Sequence, residues 1–251
     1  MTDINRRSFL KDGLKGSAML IGTAIAPGIT LFTQRSAEAH TKDHSASADN
    51  RWGMVIDTNL CTEDCTACTT ACRKENNVPL FGDEKIDAHW IRKATISPKN
   101  SPEKKISLPL LCNHCENPPC QHVCPTAATF TRKDGIVLVD KHRCIGCRYC
   151  MIACPYKARS FVFKKTTEWT NPKVPKRSKG VVEKCNFCVH LIDEGQLPAC
   201  VTACEREGKK GMIFGNLNDS NSEISKYIKE YAPKRIREDL GLEPKVYYRG
   251  I

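Results

Sequence analysis

Apolar residues along this chain fall in short runs. They are GMVID at 53–57, WIRKATI at 90–96, FTR at 130–132, IVLV at 136–139, SFVF at 160–163 and MIF at 212–214. Short runs rich in Val, Ile, Thr and Phe, separated by Gly, Pro, Asn and Asp, predict short strands. The two runs flanking Lys133, Asp134 and Gly135 predict a hairpin. Near the C-terminus the period changes. Ile224, Tyr227, Ile228 and Tyr231 recur at i, i+3, i+4 and i+7, predicting an amphipathic helix capped by Ser222 and ended by Pro233. One longer apolar stretch, from about residue 13 to 32, is rich in Gly and Ala and broken by Pro27. It is too poor in large apolar side chains for a convincing membrane span.

Between the predicted strands lie sixteen cysteines in four groups of four, each group ending in C-x3-C. They are Cys61, Cys65, Cys68, Cys72; Cys112, Cys115, Cys120, Cys124; Cys144, Cys147, Cys150, Cys154; and Cys185, Cys188, Cys200, Cys204. The third group reads CIGCRYCMIACP, the bacterial ferredoxin run C-x2-C-x2-C-x3-C-P, which holds a 4Fe–4S cubane with three thiolates and sends the fourth to a neighbouring cubane. Sixteen thiolates at four per cubane predict four 4Fe–4S clusters. Three cysteines in one tight loop reach one cube at little closure entropy, and the loop N–H groups face its sulfurs. The fourth cysteine is expected on the first turn of a helix heading away. Pro125 and Pro155 follow it in groups two and three; Arg73 and Glu205 take that place in groups one and four. Four-cysteine zinc sites explain the C-x2-C pairs but not the ferredoxin run. A disulfide framework has no reason to repeat one spacing four times, and no C-x-x-C is followed by histidine as haem attachment needs.

Charge changes the picture little. The formal net charge is +11, and removing the segment before His40, with five Lys/Arg and three Asp/Glu, leaves +9. Four cubanes with their thiolates supply about −8, so the basic excess reads as counter-charge rather than a nucleic-acid surface. The N-terminus carries NRRSFLK at 5–11, then the Gly/Ala-rich stretch, then AEA at 37–39: a twin-arginine signal with a cleavage site before His40. That route exports proteins already folded, which suits a cofactor inserted beforehand, and it predicts a periplasmic location. The expected organisation is 1–39 signal peptide, 40–51 polar linker, 52–215 four-cluster domain, and 216–251 C-terminal helical extension and tail. The fold class is α+β, with tandem ferredoxin-like units of two clusters each. The basic segment 164–179 reads as a solvated loop. His114 and His190, near cysteines, read as neighbours or surface residues rather than ligands. No nucleotide fingerprint or nucleophile–base signature is present, so no active site is expected on this chain.

The chain resembles the four-cluster iron–sulfur subunits that accompany molybdopterin, nitrite, polysulfide and tetrathionate reductases. LCNHCENPPCQHVCPTAATF, KDGIVLVDKHRCIGCRYCMIACPYKARSF and KCNFCVHLIDEGQLPAC carry the resemblance, which covers residues 52–215. RWGMVID, CRKENNVP, HWIRKATI and the ending REDLGLEPKVYY resemble the periplasmic iron–sulfur subunit type, DsrO, of the Dsr transmembrane complex associated with sulfite reduction. The resemblance implies the ligand pairing. Cys61, Cys65, Cys68 and Cys204 would hold one cluster, and Cys185, Cys188, Cys200 and Cys72 a second. Cys112, Cys115, Cys120 and Cys154 would hold a third, and Cys144, Cys147, Cys150 and Cys124 a fourth. It also implies an integral-membrane quinone-interacting subunit and a multihaem c-type cytochrome as partners. The implied role is an electron relay in sulfur metabolism. The alternatives are the same relay serving a periplasmic terminal reductase or hydrogenase, and a free periplasmic polyferredoxin.

Overall fold

The computed structural model describes residues 46–167 and 169–251. The twin-arginine signal and the first part of the 40–51 linker lie outside the described residues. In chain order the elements are β1 (Trp52–Asp57), α1 (Ala67–Glu75), β2 (Ile91–Ile96), β3 (Ile106–Leu111), α2 (Pro119–His122), β4 (Thr129–Thr131), β5 (Val137–Val139) and α3 (Tyr149–Ala153). They continue with β6 (Ser160–Phe161), β7 (Val182–Glu183), α4 (Val189–Ile192), α5 (Ala199–Arg206), β8 (Met212–Asn216), α6 (Glu223–Tyr231), β9 (Lys234–Arg235) and β10 (Val246–Arg249). None of the described helices is long and apolar enough to cross a membrane.

The largest sheet has the order β8-β1-β10-β9. Strand β1 runs antiparallel to β8, with Met54 opposite Phe214, and parallel to β10, with Met54 opposite Val246. Met54, Val55 and Ile56 are wholly buried. A strand covered on both faces needs a continuous apolar run rather than alternation, and that is what 53–57 contains. Helix α6 packs on β8 and β1, and Gly215 of β8 gives it room: a Cβ there would lie 2.9 Å from Ile224. The Ser222 hydroxyl accepts from the Ser225 N–H at 3.3 Å and caps α6 as expected.

The other sheets are hairpins: β2 with β3, β4 with β5, and β6 with β7. The hairpin around 133–135 forms with Thr129 opposite Val139. The SFVF run forms strand only at Ser160–Phe161, because its partner β7 is two residues long. Two results depart from the sequence reading. Residues 216–251, read as an extension and tail, supply β9 and β10, and β10 lies inside the main sheet. Residues 164–179 are not a wholly solvated loop. Lys164, Lys165, Lys173 and Lys176 are exposed, but Val174 and Arg177 are buried. Asn77 pins the segment by donating to the carbonyls of Asn171 at 2.9 Å and Val174 at 2.8 Å.

Candidate metal centres

The third and fourth cysteines of each group are four residues apart, one helical turn. Cys68 and Cys72 both lie within α1, and Cys200 and Cys204 both lie within α5. Cys120 lies in α2 with Cys124 just past its end, and Cys150 lies in α3 with Cys154 as its C-cap. The fourth cysteine therefore does not open a new helix, as the spacing suggested; it closes the turn that the third begins. Residues i and i+4 share one face, about 6 Å apart along the axis. One short helix thus delivers neighbouring thiols to two adjacent places. The prolines now have a reason. Pro125 and Pro155 stop α2 and α3 at four and five residues. Without a proline, α1 and α5 run on to nine and eight residues and pack against each other. Helices α2 and α3 pack together likewise.

The loops before these helices share a backbone feature. The residue preceding the second cysteine is left-handed in groups two, three and four: His114 at φ 43°, Gly146 at 70° and Phe187 at 56°. Positive φ turns successive N–H groups toward one side, making a concavity for anions. At Gly146 a side chain has no room, since a Cβ would lie 2.1 Å from the Gly180 carbonyl oxygen. The Phe187 N–H donates to Cys185 Sγ at 3.5 Å, and the Thr129 N–H to Cys124 Sγ at 3.5 Å.

Thiols of different groups come together. Cys61, Cys65, Cys68 and Cys204 line one cavity together with Lys93 and Met212. Cys124, Cys144, Cys147 and Cys150 line another beside Gly146 and Val182. Cys72 is pushed well above the usual thiol range by burial and then by its neighbours Cys185, Cys188 and Cys200. Cys115 is pushed up to about 12 by burial and then by Cys112, Cys120 and Cys154. Burial and neighbouring thiols likewise raise Cys61 and Cys68 to about 11. All sixteen cysteines are free of disulfides, and fifteen are buried or half-buried; Cys147 is exposed. Two of these sets line cavities, and among the described residues no three or more Cys, His, Asp or Glu form a single-ion site. Buried, mutually repelling thiols ringed by N–H donors and cations fit a group that is larger than one ion and carries negative charge.

Several residues around the quartets carry no local mark in the sequence. Lys93, from β2, donates to the carbonyls of Thr62, Glu63 and Cys65 at 2.7, 2.9 and 2.6 Å, wrapping the first loop around its ammonium. Asn76 Nδ2 donates to Cys188 Sγ at 3.3 Å, and its carbonyl accepts from Arg177 Nε at 2.6 Å. Buried Lys184 donates to the carbonyls of Val137 and Cys185. Arg159, buried at the edge of β6, faces Cys120 and Cys150. His114 is wholly buried and stacked on Phe187 at 3.7 Å. Burial, with the charges of Lys184, Lys245 and Arg159, holds it well below the usual imidazole range, so it is neutral, and Nδ1 accepts from the Val137 N–H at 3.1 Å. His190 bonds to Glu75 at 2.8 Å.

Residues 104–216 match the family described as a 4Fe-4S dicluster domain, a span holding groups two to four. The chain is 45% identical to the Hdr-like menaquinol oxidoreductase iron-sulfur subunit 1 of Archaeoglobus fulgidus, over 99% of this chain and 98% of that one. It is 37% identical to a tetrathionate reductase subunit of Salmonella typhimurium, over 99% of this chain and 89% of that one. It is 38% identical to a polysulfide reductase polypeptide of Wolinella succinogenes, over 78% of this chain and 93% of that one. Cysteine spacing alone would give similarity confined to the four loops. Here it also runs through the strands and the C-terminal segment that build the main sheet, and the protein belongs to the family of 4Fe–4S electron-transfer subunits of oxidoreductase complexes.

Proposed function

We propose that the sixteen cysteines hold four 4Fe–4S clusters and that the chain relays single electrons between a membrane quinone-interacting subunit and a periplasmic redox partner. Cys61, Cys65, Cys68 and Cys204 would ligate the first cluster. Cys185, Cys188, Cys200 and Cys72 would ligate the second. Cys112, Cys115, Cys120 and Cys154 would ligate the third, and Cys144, Cys147, Cys150 and Cys124 the fourth. One observation carries this reading. The third and fourth cysteines of each group sit on or at the end of one short helix, and thiols of two different groups line one cavity around Cys204 and another around Cys124, which supports a quartet shared between groups. Bound cubanes accept and release single electrons. The protein's own residues hold them, shield them from water, and balance their charge with Lys93, Asn76 and the left-handed loops. Cys147 brings the fourth site to the surface, where a partner can approach.

The menaquinol oxidoreductase relative supports a quinol-linked membrane partner. The paired arginines Arg6 and Arg7 before a Gly/Ala-rich stretch support folded export to the periplasm. Within the family we assign the protein to the DsrO type, serving sulfur or sulfite metabolism with a multihaem c-type cytochrome as a partner. A second reading, the iron–sulfur subunit of a terminal reductase, has support in the tetrathionate and polysulfide reductase relatives.

Anaerobically purified protein should contain about sixteen iron and sixteen sulfide; zinc, or about half that iron with about eight free thiols, overturns the four-cluster reading. Arg6→Lys with Arg7→Lys should trap loaded, uncleaved protein inside the cell. Quinol should reduce the clusters only when the membrane subunit is present. Equally fast reduction of the isolated chain overturns the relay, and recovery as a free periplasmic monomer favours a polyferredoxin. Co-purification with a molybdopterin enzyme instead of a cytochrome would favour the terminal-reductase reading.

A further inference from the structure

Arg159 is 6% exposed. Arg177, comparably buried, is paired with the carboxylate of Glu183 at 3.1 Å. Among the described residues no carboxylate pairs with Arg159. The groups of opposite charge opposing it are the thiols of Cys120, Cys150 and Cys112. Nη1 donates to Thr129 Oγ1 at 3.2 Å, and the guanidinium lies in hydrogen-bonding reach of the Cys120 and Cys150 thiols. A buried guanidinium with no anion beside it is strongly destabilising, so this position makes sense only if anionic sites flank it. Cys120 and Cys150 stand on the packed helices α2 and α3 and pack together with Val137 and Val182 in one apolar core. They belong to different quartets, the third and the fourth. Thr129, which holds Nη1, also donates its N–H to Cys124 of the fourth quartet. Lys184 faces Cys120 as well, but the cation facing Cys150 is Arg159.

We propose that Arg159 is a shared positioning charge for the third and fourth clusters: one buried guanidinium that raises both reduction potentials together and offsets the repulsion between electrons held on the two. The inference rests on the four-cluster reading above. An electron entering either site adds one negative charge, and a fixed cation in a water-poor interior favours that reduced form. A cation between two sites acts on both. Lys93, which lines the first quartet alone, acts on one.

The test uses the full chain, loaded and purified anaerobically, as wild type, Arg159→Gln and Arg159→Lys. Iron and sulfide are counted, and all midpoints are measured by dithionite titration followed by electron paramagnetic resonance. Cys115→Ser and Cys147→Ser assign the third and fourth signals by altering one each. In Arg159→Gln two midpoints are expected to fall, those of the third and fourth clusters, with the other two unmoved. In Arg159→Lys the same two should lie between the wild-type and Gln values. Movement of one midpoint, of all four alike, or of none overturns the proposal. If the Gln variant does not load, the Lys variant decides: the same two midpoints move, and any other pattern overturns the proposal. A wild type well short of about sixteen iron overturns the four-cluster reading itself, and with it this inference. Full iron with the wrong pattern of shifts overturns the inference alone.

Discussion

Single residues show how little latitude the cysteine loops have. Gly146 combines φ 70° with a Cβ position 2.1 Å from the Gly180 carbonyl oxygen, so alanine meets both backbone strain and a backbone clash. Gly82 has a similar φ of 72° with open space around it. Gly146→Ala should therefore lose the third loop's cluster, with iron falling by about a quarter, whereas Gly82→Ala should cost about 1 kcal/mol and no iron. Iron analysis and thermal melts of the two variants make the comparison. At the end of β1, Asp57 ties the strand to α6 and β10 through its side chain. Burial alone would raise its pKa. Hydrogen bonds from the Tyr227 hydroxyl at 2.6 Å and from Asn59, with the Arg249 charge at 3.0 Å, outweigh burial and hold it below the usual range. A carboxyl depressed in the folded chain stabilises fully above its unfolded pKa of about 3.9, and that contribution is lost as pH falls through the folded value. Tyr227→Phe should cost about 1 kcal/mol, with the same decrement at pH 6 and pH 8, because both lie above the titration. Anaerobic denaturant unfolding at the two pH values checks it.

At the scale of elements, the device that matters is one helical turn. The four C-x3-C pairs depend on i and i+4 facing the same way. Inserting one alanine between Ala71 and Cys72 rotates the Cys72 thiol by about 100° and turns it from the face it shares with Cys68. Helix α1 continues to Glu75 and should tolerate the extra residue as a helix. The expected result is a folded protein that retains the third and fourth clusters and loses the one that Cys72 completes, read as an iron count near three quarters of wild type. Loss of all iron would mean that the two halves do not load independently.

At the largest scale, residues 246–249 complete the main sheet. Strand β10 is hydrogen-bonded between β1 and β9, and Tyr248 within it is 1% exposed with its hydroxyl donating to the Pro109 carbonyl at 3.1 Å. Lys245, just before β10, is buried and donates to the Gly135 carbonyl at 2.9 Å, reaching the 133–135 turn from the end of the chain. Tyr248→Ala should cost about 3 kcal/mol as a large side chain removed from a packed interior. Truncation after residue 245 should prevent soluble loading altogether, because β1 loses a sheet neighbour and exposes an apolar strand edge. Expression solubility and iron content of the two variants measure the difference.

Much of this was legible in the sequence because ligand spacing is a local property. Thiols that must meet within one loop are separated by fixed numbers of residues, so the four groups and the ferredoxin run announced iron–sulfur chemistry before any fold was known. The hairpin at 130–139 and the helix capped by Ser222 were legible for the same reason: turn chemistry and a period of 3.6 are written in neighbouring residues. The helical placement of the fourth cysteine is legible in the same way, since C-x3-C is a one-turn spacing. What no local pattern could supply were the relations across distance. VYYR at 246–249 is four residues long, and nothing near it says that its partner is β1, almost two hundred residues earlier. Arg159, Lys184 and Asn76 look like ordinary polar residues until folding buries them beside thiols of other groups, and Lys93 until folding brings it to the first cysteine loop. By itself the sequence determined the kind of chemistry, through spacings set by bond lengths and helical pitch. Only the tertiary structure decided which polar and charged side chains stand beside the thiols, because desolvation and Coulomb attraction act through space rather than along the chain.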